Sequence, residues 1–151
     1  MTRTRATPRG DRIPAVMDLM QREFIALPAE ESLLEARRTM QLARLRHLCV
    51  VSDAATLVGI LSYRDLLDAI LSRLESSADP RQLERMDGLR VREAMVPAPY
   101  VARPETPADE AARRMLSLHL GCLPVCEQAS GAARLVGILA ERDLLRAAWL
   151  R

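Results

Sequence analysis

"LVGILSYRDLL" occupies Leu57–Leu67, and "LVGILAERDLL" occupies Leu135–Leu145. Two such near-copies within 151 residues mark an internal duplication. Gly59 and Gly137 are 78 positions apart, and so are Asp65 and Asp143. Upstream the offset is 75: Val16 and Met20 match Val91 and Met95, Ala36 and Met40 match Ala111 and Met115, and Val50 matches Val125. Near Pro28 and Pro104 it reads as 76. The change to 78 falls where "SDAAT" (Ser52–Thr56) faces the longer "EQASGAAR" (Glu127–Arg134). Insertions belong in turns, so a surface loop is expected there in each copy.

Working outward, each copy reads as the same chain of elements. An extended piece, Phe24–Leu27 or Tyr100–Arg103, comes first. A helix follows with Leu33, Ala36, Met40 and Ala43 on one face, matched by Ala108, Ala111, Met115 and Leu118. Two short strands come next, Leu48–Val51 with Leu57–Leu61 and Leu123–Cys126 with Leu135–Leu139. A last helix carries Leu66, Leu67, Ile70 and Leu71, matched by Leu144, Leu145, Ala148 and Trp149. The stretch Glu75–Leu89 is polar, is punctuated by Pro80 and Gly88, and reads as a linker with one helical turn. The order β-α-β-β-α, twice, predicts a mixed α/β (α+β) fold. A unit of about 55 residues struggles to cover its own sheet. The two sheets are therefore expected to pack together around a pseudo-twofold axis, leaving two clefts between the copies.

Composition narrows the function. All 22 basic residues are Arg, and the formal net charge is only +2, too small to argue for nucleic acid or a membrane surface. Aromatics make up 3%, few platforms for stacking bases. No apolar run approaches the roughly 20 residues of a membrane span. Residues 1–12 carry Arg3, Arg5, Arg9 and Arg12 without an apolar segment, which reads as a disordered tail rather than a signal peptide. Cys49, Cys122 and Cys126 are odd in number and read as reduced core thiols of a cytoplasmic protein. With only His47 and His119 to help them, no metal site is expected. No Ser/His/Asp arrangement and no Lys is present, so the chain is not expected to be an enzyme.

Ser62-x-x-Asp65 opens a helix directly after a strand, and two readings fit it equally. One is a capping box, with the Ser hydroxyl accepting from an early helix N–H and an acid in the first turn. The other is a ligand site. A carboxylate accepts two hydrogen bonds, and a ribose diol offers two adjacent donors. Gly59 and Gly137 fit either close approach of a ligand or tight sheet packing. The second copy keeps Asp143 but puts Ala140, which cannot cap, in the Ser62 position.

The stretches "VMDLM…RHLCVV…LVGILSYRDLL" and "VREAM…GCLPVC…LVGILAERDLL" resemble a tandem pair of CBS domains, the Bateman module, over residues 13–149. On that resemblance, residues 13–74 form one repeat, 75–89 the linker and 90–151 the second repeat of a free-standing module. The family signature G-h-h-S/T-x-x-D ends in an Asp that often holds the ribose of an adenosine ligand. Gly59–Asp65 matches it fully, and Gly137–Asp143 departs from it at Ala140. Family clefts are commonly crossed, with the Asp from one copy and basic residues from the other. The basic stretch corresponds to Arg46-His47 in copy one and to uncharged Gly121-Cys122 in copy two. Asp65 is thus expected to face Gly121 and Cys122, and Asp143 to face Arg46 and His47.

The resemblance implies a regulatory sensor that requires no cofactor. It would take AMP, ADP, ATP or S-adenosylmethionine between the repeats and signal to a separate protein partner. The competing expectation is a ligand-free dimerisation adaptor that docks an enzyme or transporter. A homodimer is expected in either case, with Leu66, Ile70 and Trp149 near the contact.

Overall fold

The computed structural model describes residues 12–52, 55–72 and 81–149, except the side chains of 82 and 83. The expected tail, apart from Arg12, and residues 75–80 of the expected linker lie outside the described residues. Along the chain run α1 (Val16–Leu19), β1 (Ala26–Pro28), α2 (Leu33–Ala43), β2 (His47–Val51), β3 (Leu57–Ser62), α3 (Tyr63–Leu71) and α4 (Gln82–Gly88). A 3-10 turn at Val91–Glu93 leads into β4 (Val96–Pro97), α5 (Ala108–Ser117), β5 (Cys122–Ala129), β6 (Ala132–Ala140) and α6 (Glu141–Trp149).

Local chemistry sets the helix boundaries. Ser32 Oγ accepts the amide hydrogen of Glu35 at 3.1 Å and opens α2. Leu33, Ala36 and Met40 lie on one face of α2 and are buried, as Ala108, Ala111 and Met115 are on α5, whereas Ala43 and Leu118, expected on the same faces, are exposed at the helix ends. Both helices give way to a left-handed residue, Arg44 (φ 53°) and His119 (φ 54°), which turns the chain back toward the sheet.

β1 runs parallel to β2, and β2 and β3 are antiparallel neighbours, as are β3 and β4, in a four-stranded sheet. The second sheet is the β5–β6 pair, extended by single-residue bridges from Ala102 to Val125 and from Gln21 to Ile138. The expected double β-α-β-β-α plan is therefore present, with the leading strand of the second repeat reduced to the single bridge at Ala102. Its edges are exchanged: β4 leads into the second repeat but completes the first sheet, whereas Gln21 leads into the first repeat but pairs with the second.

The cores are exchanged in the same way. Met86, Leu89 and Val91 are buried with Leu33, Met40, Leu48 and Leu61 of the first repeat. Val16 and Met20 are buried with Met115, Leu123, Val125 and Leu139 of the second. The stretch read as a linker thus carries α4, whose Met86 is interior. Two matched pairs of hydrogen bonds pin the lead-ins. Val16 and Met17 donate to the carbonyls of Thr106 and Pro104, while Val91 and Arg92 donate to those of Glu31 and Ala29. All four pairings keep the offset of 75, so Ala29, not Pro28, stands in the place of Pro104. The apparent slip to 76 is a coincidence of two prolines.

The length difference also resolves differently. In place of a longer loop, β5 and β6 stay paired out to Ala129 and Ala132. The two-residue turn between them has φ 51° at Ser130 and 81° at Gly131, the left-handed pair that suits the twist of a hairpin.

Between the sheets lie Cys49, Leu57, Cys126 and Leu135, with Phe24, Val51, Val101 and Ile138 against them. The thiols are free. Burial pushes Cys126 up to about 11 and Cys122 up to about 12, and raises Cys49 further in the same direction. They therefore serve as protonated apolar filler. Leu66 and Ile70 are also interior, at 0% and 4% exposure, so neither reaches a partner chain. The outward apolar residues of the last helices are Leu67, Leu71, Leu145 and Trp149. Among the described residues no helix is long and apolar enough to cross a membrane.

Candidate functional site

Register brings the strand ends together. His47 pairs with Ser62, and Cys122 pairs with Ala140, so each repeat ends β3 or β6 beside the start of its neighbouring strand. At the start of α3, Ser62 Oγ accepts from the Asp65 amide at 3.0 Å and donates to Asp65 Oδ2 at 2.6 Å. The Ser62 amide also donates to Oδ2, at 3.2 Å. The capping box is therefore complete, and it engages one oxygen of Asp65. Among the described residues Oδ1 accepts no hydrogen bond, and Asp65 is half-buried.

Asp143 is held differently. Its Oδ2 accepts the Ala140 amide at 2.8 Å, the half of the box that needs no side chain at position 140. This capping duty by itself gives both repeats a use for the acid. In addition, the Gln21 side-chain amide donates to both carboxylate oxygens, at 3.0 and 3.2 Å. The other end of that amide, Oε1, accepts from Arg142 Nη2 at 3.3 Å. Asp143 is left only 8% exposed.

A cleft of about 530 Å³ lies between the repeats. The first repeat contributes Arg46 and His47, and the second contributes Gly121, Ala140, Glu141 and Arg142. The Arg46 stretch thus approaches the start of α6, but the expected division is not found, because Gly121 and Cys122 line this same cleft and Asp65 does not. Asp143 does not line this cleft. It faces a neighbouring depression bordered by Pro14, Asp18, Leu19 and Arg146, and Gln21 lines both.

His47 sits over Gly121: a Cβ placed on that glycine would lie 2.8 Å from His47 Cε1. Burial lowers the pKa of His47; Arg46 acts in the same direction, and Asp65 and Glu141 oppose it. Its ordinary value is 6.5, so the ring is neutral at pH 7 and the positive charge of the cleft rests on Arg44, Arg46 and Arg142, against the acids Glu23 and Glu141. His119 caps α5 at the surface, away from these groups.

Gly59 and Gly137 are buried in mid-strand. A Cβ at Gly59 would meet Met95 Sδ at 2.5 Å, and one at Gly137 would meet Met20 Sδ at 2.7 Å and the Gln21 carbonyl at 3.0 Å. Tight packing of the exchanged lead-ins explains both glycines. Gln21 was not among the residues singled out from the sequence. The signal was available: at the offset of 75 its counterpart is Val96, a polar-for-apolar difference inside otherwise matched segments.

The protein-family model for the CBS domain matches residues 16–72 and again 91–150. A CBS domain-containing protein of Dictyostelium discoideum is 28% identical over 130 residues, covering 86% of this chain and 88% of that protein. The crystal structure of Arabidopsis thaliana CBSX2 in complex with AMP superposes with TM-score 0.74 at 29% identity, covering 91% of this chain and 97% of that one. The CBS domain pair of protein MJ0100, in complex with 5′-methylthioadenosine and S-adenosyl-L-methionine, has the same fold, with TM-score 0.74 at 23% identity over 91% of this chain and 97% of that chain. Some relatives are far longer: the chain spans 23% of a homoserine O-acetyltransferase of Methanohalobium evestigatum, at 26% identity over 87% of its own length. Two matches to one family model, on repeats that complete each other's sheets, place the chain in the CBS domain family as a tandem pair.

Proposed function

We propose that the chain is a regulatory ligand-sensing module. It takes an adenosine-containing ligand, such as AMP, ADP, ATP or S-adenosylmethionine, between its repeats and signals to a separate protein by a change in their relative position. The observation that carries this reading is the inter-repeat cleft lined by Arg46 and Arg142. Its volume falls within the roughly 300–1,000 Å³ of small-molecule sites. The AMP complex of CBSX2 supports the same ligand class. Ligand affinity that differs between two arrangements of the repeats shifts their populations, and a partner reads the result.

The two clefts divide the work. Asp65 offers an unengaged carboxylate oxygen at the start of α3, outside the cleft that Arg46, His47, Gly121 and Cys122 line together, so that side takes the nucleoside. The Arg46 side takes the phosphates. Arg46→Ala is expected to weaken AMP and ATP and to leave adenosine nearly unchanged. The difference should shrink at high salt, since exposed charges more than about 10 Å apart are screened at 0.1 M. Calorimetric titration of adenosine, AMP and ATP at two salt concentrations checks this. The same ligand ranking and the same affinities in both proteins count against it.

A second observation favours self-association. Leu116, Leu145 and Trp149 stand exposed beside an apolar groove of about 560 Å³ that runs along α5 and α6, lined by Ile13, Leu19, Leu144 and Ala148. Trp149 is 80% exposed. Large contiguous apolar patches are seldom left bare, and a second copy of the chain, offering the same face, covers them symmetrically. Sedimentation at micromolar concentration should show a dimer that Leu145→Asp dissociates. A monomeric wild type refutes the second-copy interface.

A further inference from the structure

We infer that Gln21 is an internal competitor for Asp143, closing that carboxylate in the depression beside the Arg46 cleft until a ligand or a movement of the lead-in displaces it. This rests on the reading of the clefts as adenosine sites. The contact occupies the acceptor a ligand would use: one amide nitrogen lies within hydrogen-bond distance of both oxygens of the carboxylate, at 3.0 and 3.2 Å, its N–H shared between them. A ribose 2′,3′-diol would present two donors to the same pair of acceptors. With both oxygens of Asp143 engaged, a diol finds no open acceptor there until Gln21 leaves, whereas at Asp65 only Oδ2 is engaged.

Three further facts make the amide a built gate rather than a loose contact. Gln21 cannot drift, because its backbone exchanges hydrogen bonds with Ile138 at 2.8 and 3.0 Å. Its oxygen is held by Arg142, so the nitrogen is directed at the carboxylate. It lies between the two depressions, with Arg46 and His47 on one side and Asp143 on the other. The matched position in the other half shows the open state of the same device. There Val96 makes the equivalent backbone pairing with Ile60, has no donor to offer Asp65, and stands 47% exposed. The pair of repeats is thus one open carboxylate and one closed, and residue 21 against residue 96 sets the difference.

The gate also couples the site to the fold. Gln21 follows Met20, which is packed on Gly137 inside the second repeat's core. A ligand that displaces the side chain therefore pulls on the exchanged lead-in, the segment that ties the repeats together.

The test is Gln21→Val, which installs the residue found at the matched position and suits the same backbone pairing. Calorimetry with adenosine, the ligand without phosphate, should show a second site, or a gain of about tenfold at an existing weak one, from release of the shared amide hydrogen bond. Adding Asp143→Asn to that variant should abolish the gain, which separates the freed carboxylate from general loosening. Arg142→Ala, which frees the amide oxygen without altering the lead-in, should give a smaller gain in the same direction and serves if Gln21→Val does not fold. If wild type binds adenosine and a folded Gln21→Val protein adds nothing in stoichiometry or affinity, the gate is wrong and the sensing function stands. If only the variant binds, the gate stands and the wild-type adenosine function falls. If neither binds, both fall.

Discussion

A Val16→Asp protein is expected to lose roughly 4 kcal/mol or more of stability, and to lose it from the second repeat although residue 16 precedes the first. Val16 is fully buried among Met115, Leu123, Val125 and Leu139. Its amide is hydrogen-bonded to the Thr106 carbonyl at 2.8 Å. A carboxylate there has no basic group in its cluster, and an unpaired charge in an apolar interior is among the most destabilising single changes. Against a total of about 5–15 kcal/mol for a domain this is a large fraction. Urea unfolding should show the drop. Hydrogen exchange should show where it falls, with protection lost first in α5, β5 and β6. Val91→Asp should mirror it in α2, β2 and β3, because Val91 is buried in the other core. Protection lost first in α2 and β2 of the Val16→Asp protein would mean that the lead-ins are not exchanged.

That exchange is what sequence alone did not reveal, and the reason is physical. The repeat, the helix start at Ser62 and the inward faces of α2 and α5 are local patterns, set by residues three or four apart. They were legible, as was the crossed approach of Arg46 to the start of α6. Which core receives Val16 is a long-range choice. Val16 and Val91 are identical in type, so pattern does not say which repeat each one serves. The hairpin extension at Glu127–Arg134 was hidden for a related reason. Polar residues with a Ser-Gly pair suit an exposed two-stranded ribbon as well as a loop. Gly59 and Gly137 had two readings from the sequence, and only the positions of Met95 and Met20 decide between them. In the site itself, Asp65 and Asp143 were visible as a matched pair. Their inequality depends on Gln21, which is 122 residues from Asp143, and no local motif reports such a contact.

That inequality makes the effect of Asp65→Ala the most informative binding result. Adenosine affinity should fall by about a hundredfold or more. Two hydrogen bonds to an ionised carboxylate are each worth roughly 1.5–3 kcal/mol, and each 1.4 kcal/mol is about tenfold. The helix should survive the change. Ser62 Oγ still accepts the residue-65 amide, at 3.0 Å in the wild type. What is lost is the acceptor for the Ser62 amide and hydroxyl, and water reaches a half-buried position, so the structural penalty is that of a partial cap, about 1 kcal/mol. Circular dichroism and a urea midpoint separate this small loss from the large one in affinity. Asp143→Asn is the matched control. With Gln21 already on that carboxylate, adenosine binding should scarcely change, whereas the same substitution in a Gln21→Val protein should matter. A folded Asp65→Ala protein with wild-type adenosine affinity would leave Asp65 as a helix cap and nothing more. The apolar face of α5 and α6 would then become the functional surface, and the adaptor reading would replace the sensor.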